Sequence, residues 1–216
     1  MMRLANNWSA LRTGALLMVM VAAVLAFGRI ARADIIDDWS TATAPAPPAL
    51  KPVAADPKTT ALLVLDFLNA NCSTRPACQT AVPKVSALLA AARAAHVLVV
   101  YSEFPPNTVA NFLPALAPQA GDANVVAQAD KFIGTNLDQI LKDHGIKTVI
   151  VTGTSANGAA MFTASDAAFR GYKVVFPVDG APAQTPYAAQ LATFEMSTLP
   201  GEADNVTLTR CSMVTF

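Results

Sequence analysis

The sequence predicts an α/β protein, a three-layer sandwich built on a mostly parallel, Rossmann-like sheet of about six strands. The first observation is that short, continuous apolar runs alternate with longer segments whose apolar residues recur at helical spacing. The second is that Gly145 and Gly171 follow two of the helical segments, where glycine commonly ends a helix. Strands and helices that alternate in this way are typical of βαβ units, whose neighbouring strands run parallel.

The continuous apolar runs predict strands that are buried on both faces of the sheet. Four such runs are present, at Ala61–Leu65, Val97–Ser102, Thr148–Gly153 and Lys173–Asp179. A shorter last strand is predicted at Val206–Leu208. The predicted helices are residues 82–95, 137–144, 159–170 and 187–199.

The N-terminal residues have the layout of a secretory signal peptide. Arg3 and Arg12 precede an uncharged run from Thr13 to Gly28, and Ala31-Arg32-Ala33 supplies the small residues of a cleavage site. The apolar part is short for a bilayer-spanning helix, which needs about 20 residues. We therefore expect residues 1–33 to be a signal peptide and the protein to be periplasmic or secreted. The alternative is an uncleaved anchor, the one case in which a membrane partner is expected.

Residues 34–57 are dominated by alanine, proline and threonine and are predicted to form an extended tether. Residues 58–216 fit the length of one globular domain. From residue 34 onward, 11 basic residues face 15 acidic ones, a net charge of −4. Because this composition offers no basic stripe for nucleic acid, the expected partner is a small molecule.

The cysteine count is odd. Cys72 and Cys78 lie six residues apart in a polar loop, and in an oxidising compartment they are the natural disulfide pair, which leaves Cys211 unpaired. Counting alone leaves open a pairing of Cys211 with either of them. A structural zinc site is not expected, because His96 and His144 are far apart and there is no second cysteine pair.

Polar residues follow the predicted strands at the edge where parallel sheets bind ligands. Asp66 closes an apolar run, so its carboxylate needs a partner or a shifted pKa, although it could also cap the following loop. Glu103 is a second acid at this edge, unless it is merely solvated. Lys131 could pair with Asp66, although a lysine beside Asp130 is more commonly at the surface.

The turn at residues 154–158 joins a predicted strand to a predicted helix. Backbone N–H groups at a helix N-terminus can bind anions or developing oxyanions. The alternative is an ordinary strand-to-helix connection. The segment is neither a dinucleotide fingerprint nor a nucleophile elbow, since Gly-x-Gly-x-x-Gly and Gly-x-Ser-x-Gly are both absent.

Several segments in order resemble the isochorismatase-like cysteine-hydrolase superfamily, which includes isochorismatases, nicotinamidases and N-carbamoylsarcosine amidases. The matching segments are Asp66-Phe67 after the first strand and residues 131–137, 145–153, 163–167, 170–172 and 178–179. The resemblance implies the α/β fold given above.

The resemblance also implies a catalytic site made of an aspartate, a lysine and a cysteine. The aspartate matches Asp66, and the cysteine position falls on Ala159, which carries no nucleophile for thiol-based amidase chemistry. The family lysine usually lies nearer Val126, so Lys131 is either a displaced substitute or a flanking charge. The Asp-x-His metal motif of nicotinamidases is missing, so neither a metal nor a cofactor is implied.

Isochorismatases also have a small residue at the cysteine position and use the strand-end aspartate as a proton donor. By this analogy Asp66 would be the general acid/base of a hydrolase, with Lys131 and Ala159 beside it. The substrate-binding residues would be Phe67, Phe104, Thr154, Ser155, Asn157 and Gly158. The resemblance further implies a cis peptide at Thr154–Ser155. The alternatives are a non-catalytic pseudoenzyme that binds a small molecule, and a structural role through a homo-oligomer.

Overall fold

The computed structural model describes residues 34–216, so the expected signal peptide at residues 1–33 lies outside the described residues. The described residues belong to two units, residues 34–46 and residues 47–216. In the described part of the first unit, residues 35–41 form consecutive turns and are exposed. None of the helices between residues 34 and 216 is both long enough and apolar enough to span a bilayer.

Six strands form the central sheet of the second unit, and every neighbouring pair is parallel. They are β2 (Thr60–Leu65), β3 (Leu98–Glu103), β4 (Ala123–Val126), β5 (Thr148–Gly153), β6 (Lys173–Pro177) and β7 (Val206–Thr209). Their spatial order is β4-β3-β2-β5-β6-β7. The predicted parallel sheet of about six strands is confirmed.

Helices cover both faces of this sheet. They are α1 (Asn69–Cys72), α2 (Pro76–Ala94), α3 (Leu137–Asp143), α4 (Met161–Phe169) and α5 (Pro186–Thr198). A kinked segment, Ala156–Ala160, whose backbone is not helical at Asn157 and Gly158, leads into α4. Helix α2 packs into one hydrophobic core, and α3, α4 and α5 pack into the other. The three-layer sandwich is therefore confirmed.

Strand β2 is continuously apolar because both of its faces are covered. Leu63 and Leu65 face the core formed with α3, α4 and α5, whereas Leu62 and Val64 face the core formed with α2. All four side chains are buried. Because successive side chains of a strand point to opposite faces, a strand covered on both sides needs an apolar residue at every position.

The beginning of the domain differs from the prediction. A second, two-stranded sheet joins β1 (Val53–Ala54) to β8 (Val214–Thr215). The backbone N–H of Lys51 donates to the Leu208 carbonyl at 2.9 Å, and Leu50 packs against the core. The expected tether at residues 34–57 was therefore too long, because its last residues pair with strands of the domain.

The predicted disulfide between Cys72 and Cys78 is confirmed. It joins α1 to the first turn of α2, which begins at Pro76 rather than at residue 82. Cys211 is free and buried. A disulfide of this kind fits an oxidising compartment.

Candidate active site

Asp66 is the first residue after β2, and its backbone is held in place from several sides. Its N–H donates to the Ser102 carbonyl at 3.0 Å, and its own carbonyl accepts from the Leu68 N–H at 2.7 Å and the Asn71 side chain at 2.9 Å. Its φ of +56° is in the left-handed region, which aspartate tolerates better than most residues. The backbone therefore fixes the direction in which the Asp66 carboxylate points.

The Asp66 side chain has two partners. Ser102, at the end of the neighbouring strand β3, donates its hydroxyl to Oδ1 at 2.8 Å. The ammonium of Lys131 lies 2.8 Å from Oδ2, and the two side chains of this ion pair are 0% exposed for Lys131 and 5% for Asp66. The interpretation of Lys131 as a surface residue is therefore wrong.

Lys131 is held by more than Asp66. Its ammonium donates to the Ala127 carbonyl at 2.8 Å and also to the Gln128 carbonyl. Its backbone N–H donates to the Thr163 hydroxyl on α4 at 3.1 Å. An ammonium group has three donors, so with Asp66 and the two carbonyls its hydrogen bonding is complete.

Burial dominates the electrostatics of this pair. It raises the pKa of Asp66 above its ordinary value, although Lys131 and Ser102 act to lower it. Burial likewise lowers the pKa of Lys131, against the attraction of Asp66. Both shifts have the same origin, because a low-dielectric site disfavours each charged form. A raised pKa suits a carboxyl group that exchanges protons near neutral pH.

Glu103 is buried rather than solvated, with 6% of its surface exposed. Its Oε2 has no hydrogen-bond partner. Burial raises its pKa, and the Asn124 side chain acts to lower it. The charge of Glu103 in turn raises the pKa of Asp66, so the two carboxyl groups are electrostatically linked.

The turn after β5 is fixed by the end of β2. The Thr154 N–H donates to the Leu65 carbonyl at 3.0 Å, and the Thr154–Ser155 peptide is cis, as the resemblance implied. The Ser155 hydroxyl donates to the Asn157 side-chain oxygen at 2.7 Å. The N–H groups of Gly158 and Ala160 both donate to the Ser155 carbonyl. These two amides are therefore occupied within the turn itself.

The loop at residues 179–182 holds the same turn from the other side. The Gly180 carbonyl accepts from the Gly153 N–H at 3.1 Å, and the Pro182 carbonyl accepts from the Ala156 N–H at 2.9 Å. At the far end of the loop, Asp179 accepts from the Cys211 N–H at 2.8 Å. The turn thus takes its shape from contacts with two other parts of the chain.

The other predicted site residues differ in accessibility. Ala159 is 5% exposed and lies in the core formed with α3, α4 and α5. Phe67 is fully buried among residues of the α2 core, and Phe104 packs against that core. The substrate-binding role expected for Phe67 is therefore not supported by its position, since a ligand could reach its ring only by displacing core residues. Thr154 is also buried, whereas Ser155, Asn157 and Gly158 are half-buried.

The sequence interpretation missed four contributors to the site. Ser102 ends a predicted strand but was not identified as the donor to Asp66, and the roles of Thr163 and of the Ala127 and Gln128 carbonyls were not foreseen. The position of Ser102 at the end of the adjacent strand was the available signal. Across residues 34–216, no group of three or more His, Cys, Asp or Glu side chains could hold a metal.

The comparisons with known proteins agree with this fold. The isochorismatase domain family matches residues 60–207, and the chain belongs to that family. An N-carbamoylsarcosine amidase from an Arthrobacter species is 28% identical over 112 residues, which are 49% of this chain and 42% of that protein. An uncharacterised isochorismatase family protein from Bacillus subtilis is 36% identical over 75 residues, 34% of this chain and 40% of that protein. The matched regions thus span about two fifths of these curated relatives.

A solved structure extends the likeness to nearly the whole of another domain. The isochorismatase family protein from Desulfovibrio vulgaris superposes with a TM-score of 0.64 at 25% identity. The match covers 71% of this chain and 95% of that one. The agreement includes the parallel sheet, whose carboxyl edge carries Asp66.

Proposed function

We propose that the protein is an exported hydrolase that acts on a small organic molecule, with Asp66 as general acid/base and no cysteine nucleophile. The observation that carries this proposal is the buried Asp66–Lys131 pair at the carboxyl edge of the sheet, 2.8 Å apart. Burial keeps the pKa of Asp66 above its ordinary value, which suits proton transfer.

The absence of a nucleophile at residue 159 restricts the chemistry. An alanine side chain cannot form a covalent intermediate, so the substrate would be attacked directly by water or cleaved after protonation. Esters and vinyl ethers are the favoured classes: the leaving oxygen of an ester takes up a proton, and a vinyl ether gains a proton on its β-carbon before water adds to the carbon that carries the oxygen. Amides are less favoured without a thiol.

The test is a screen of small esters, amides and vinyl ethers with the wild type and with Asp66→Asn. Asp66→Asn is expected to lower the rate by about 10²–10⁴-fold, the usual contribution of a general acid or base. Asp204→Asn is the matched control, because Asp204 is exposed and lies outside the site. Equal activity in Asp66→Asn and the wild type would overturn the proposal.

A non-catalytic binding protein is the second candidate, and one observation favours it. The ammonium of Lys131 already has three partners, and both Asp66 oxygens face a donor. An ion pair whose hydrogen bonding is already complete can have a purely structural role. Ligands that bind wild type and Asp66→Asn equally, with no turnover of any substrate class, would select this candidate.

Export is the part of the proposal that depends on residues 1–33. The Cys72–Cys78 disulfide supports it, because disulfides persist in oxidising compartments. Cell fractionation and N-terminal sequencing provide the test. We expect the mature chain to begin near Asp34, and recovery of full-length protein in the cytoplasm would contradict export.

A further inference from the structure

The outer faces of two neighbouring helices, α4 and α5, carry large apolar side chains. Phe162 and Phe169 of α4 are 48% and 58% exposed, and Leu191 and Phe194 of α5 are 44% and 40% exposed. These four side chains, called the α4–α5 patch, include every exposed phenylalanine between residues 34 and 216. We propose that the α4–α5 patch is the contact surface of a homodimer, so that a second copy of this chain covers it.

The distribution of residue size around α4 is the first argument. The side chains that α4 buries against the core are all small, namely Thr163, Ala164, Ala167 and Ala168. Phe162 and Phe169 are seven residues apart, so they lie together on the opposite face. A helix that only covers the core turns its large apolar residues inward and its polar residues outward. The outward rings of α4 are therefore explained if a partner covers them.

The two helices also carry few of the charges that are typical of a solvated face. Together α4 and α5 contain two charged residues, Asp166 and Glu195. Helix α3 packs into the same core and has three charged residues among its seven, Asp138, Lys142 and Asp143. Depletion of charge together with enrichment of aromatic residues distinguishes the centre of a protein interface from the rest of a surface. The composition of α4 and α5 thus favours a protein partner over solvent.

The exposed apolar residues of the domain are concentrated on this surface. Between residues 47 and 216, eight large apolar side chains are exposed, and five of them, the patch residues and Tyr187, lie on α4 and α5. The other three, Val109, Val126 and Ile133, lie in three different segments of the chain. Single apolar residues are normal on a protein surface, whereas a contiguous group of them marks a contact site.

The shape of the surface explains why the partner is a second copy. A depression of about 400 Å³ lies between the two helices, and Phe162, Phe169 and Leu191 are among the residues that line it. The surface thus contains both a depression and projecting rings. In a twofold dimer the same surface of each copy meets the other, so a ring of one copy can enter the depression of its partner. Twofold homodimers are also by far the commonest assemblies of soluble proteins.

The exposed area is close to what a stable dimer needs. A fully buried aromatic side chain covers about 150–250 Å², so the four half-exposed side chains of the patch offer about 300–400 Å² of apolar surface. A standard interface buries about 800 Å² per copy, and about 65% of a homodimer interface is apolar. The patch therefore supplies most of the apolar area, and Met161 and Pro200, which line the same depression, extend it.

Analytical ultracentrifugation of the purified protein tests the proposal. We expect the wild type to sediment as a dimer at micromolar concentration. Phe169→Glu and Leu191→Glu each bring two like charges into the interface, so each should weaken dimerisation by about 100-fold or more. Val109→Glu is the matched control, because Val109 is 51% exposed and lies outside the patch, and it should remain a dimer. A wild type that is monomeric up to about 100 µM would overturn the proposal, as would a dimer that neither patch variant weakens.

Hydroxyl-radical footprinting provides a second readout on the wild-type surface, and neither measurement needs a substrate. In the dimer, Phe162 and Phe169 should be oxidised more slowly than in Leu191→Glu, whereas Val109 should be oxidised equally in both proteins. Circular dichroism of each variant checks that its fold is retained. Equal oxidation of the two phenylalanines in the wild type and in folded Leu191→Glu would contradict the homodimer. Slow oxidation of these rings in a wild type that is monomeric would point to a different occupant and would also reject a second copy.

Discussion

The ammonium of Lys131 lies 2.8 Å from the Asp66 carboxylate, and neither side chain is more than 5% exposed. Taking both charges out of water costs several kcal/mol per ion, and the hydrogen bonds of the pair offset this cost only while both partners are present. The consequences for stability therefore appear when one partner is removed.

Replacement of Lys131 by methionine should destabilise the fold by about 3–5 kcal/mol at neutral pH, because Asp66 is left as an unpaired buried carboxylate. Asp66 would then hold its proton more strongly, so the destabilisation should shrink as pH falls and grow as pH rises. Urea unfolding at several pH values measures both effects. Lys142→Met is the control, since Lys142 pairs with Asp138 at the surface and should contribute less than about 1 kcal/mol. Equal losses in the two variants would contradict the prediction.

The Tyr172 phenol should lose its proton only at unusually high pH. Burial and its hydrogen bond to Asp138, at 2.9 Å, raise the pKa of Tyr172 to about 12. Because the unfolded phenol loses its proton near pH 10, stability should fall as pH rises from about 10 to 12. Tyr172→Phe should lose this component, and ultraviolet titration of the three tyrosines should lose its most alkaline step. Superimposable titrations of wild type and variant would count against this assignment.

Cys211 should be an inert thiol. Burial and the neighbouring Asp179 raise its pKa to about 12, so very little thiolate forms near neutral pH. A disulfide-exchange reagent should label no thiol rapidly in the native protein and one thiol after unfolding without reductant. Cys211→Ser should show none in either state. Rapid labelling of the native protein would contradict the burial of the Cys211 thiol. More than one reactive thiol before reduction would contradict the Cys72–Cys78 pairing.

Ala159→Cys tests whether residue 159 is the position of the family nucleophile. In a Cys211→Ser background, the new thiol should have a pKa below the free value of about 8.5 if the Lys131 charge reaches it. It should then react with iodoacetamide faster than a peptide cysteine at neutral pH. Adding Lys131→Met should slow the reaction. Labelling as slow as that of a peptide cysteine would remove the support for a preserved acid–lysine site.

The sequence predicted most of the sheet because its strands are buried on both faces. Strand β4 was missed, and its residues show why: Ala123 and Asn124 are half-buried and Val126 is exposed, so an edge strand leaves no continuous apolar run. The kinked segment before α4 was also missed, because the Ala156 N–H donates to the carbonyl of Pro182, a contact with a distant residue that the local sequence does not reveal.

Only part of the site could be predicted from the sequence. Asp66 was found because a charged residue at the end of an apolar strand needs an explanation. Its pairing with Lys131 could not be derived, because the neighbouring Asp130 offered an equally simple role at the surface. Only the folded chain shows that Thr163 and the carbonyls of Ala127 and Gln128 draw Lys131 inward.

The contacts of the loop at residues 179–182 have a consequence for how this protein could diversify. The turn that leads to Ala159 is hydrogen-bonded to the carbonyls of Gly180 and Pro182. Its shape therefore depends partly on a separate stretch of sequence. If the protein is the proposed hydrolase, substitutions in that loop would alter its selectivity while Asp66 and Lys131 stay unchanged. For directed evolution, a library in this loop should keep Gly180, because a Cβ added there would lie 2.9 Å from the Cys211 sulfur.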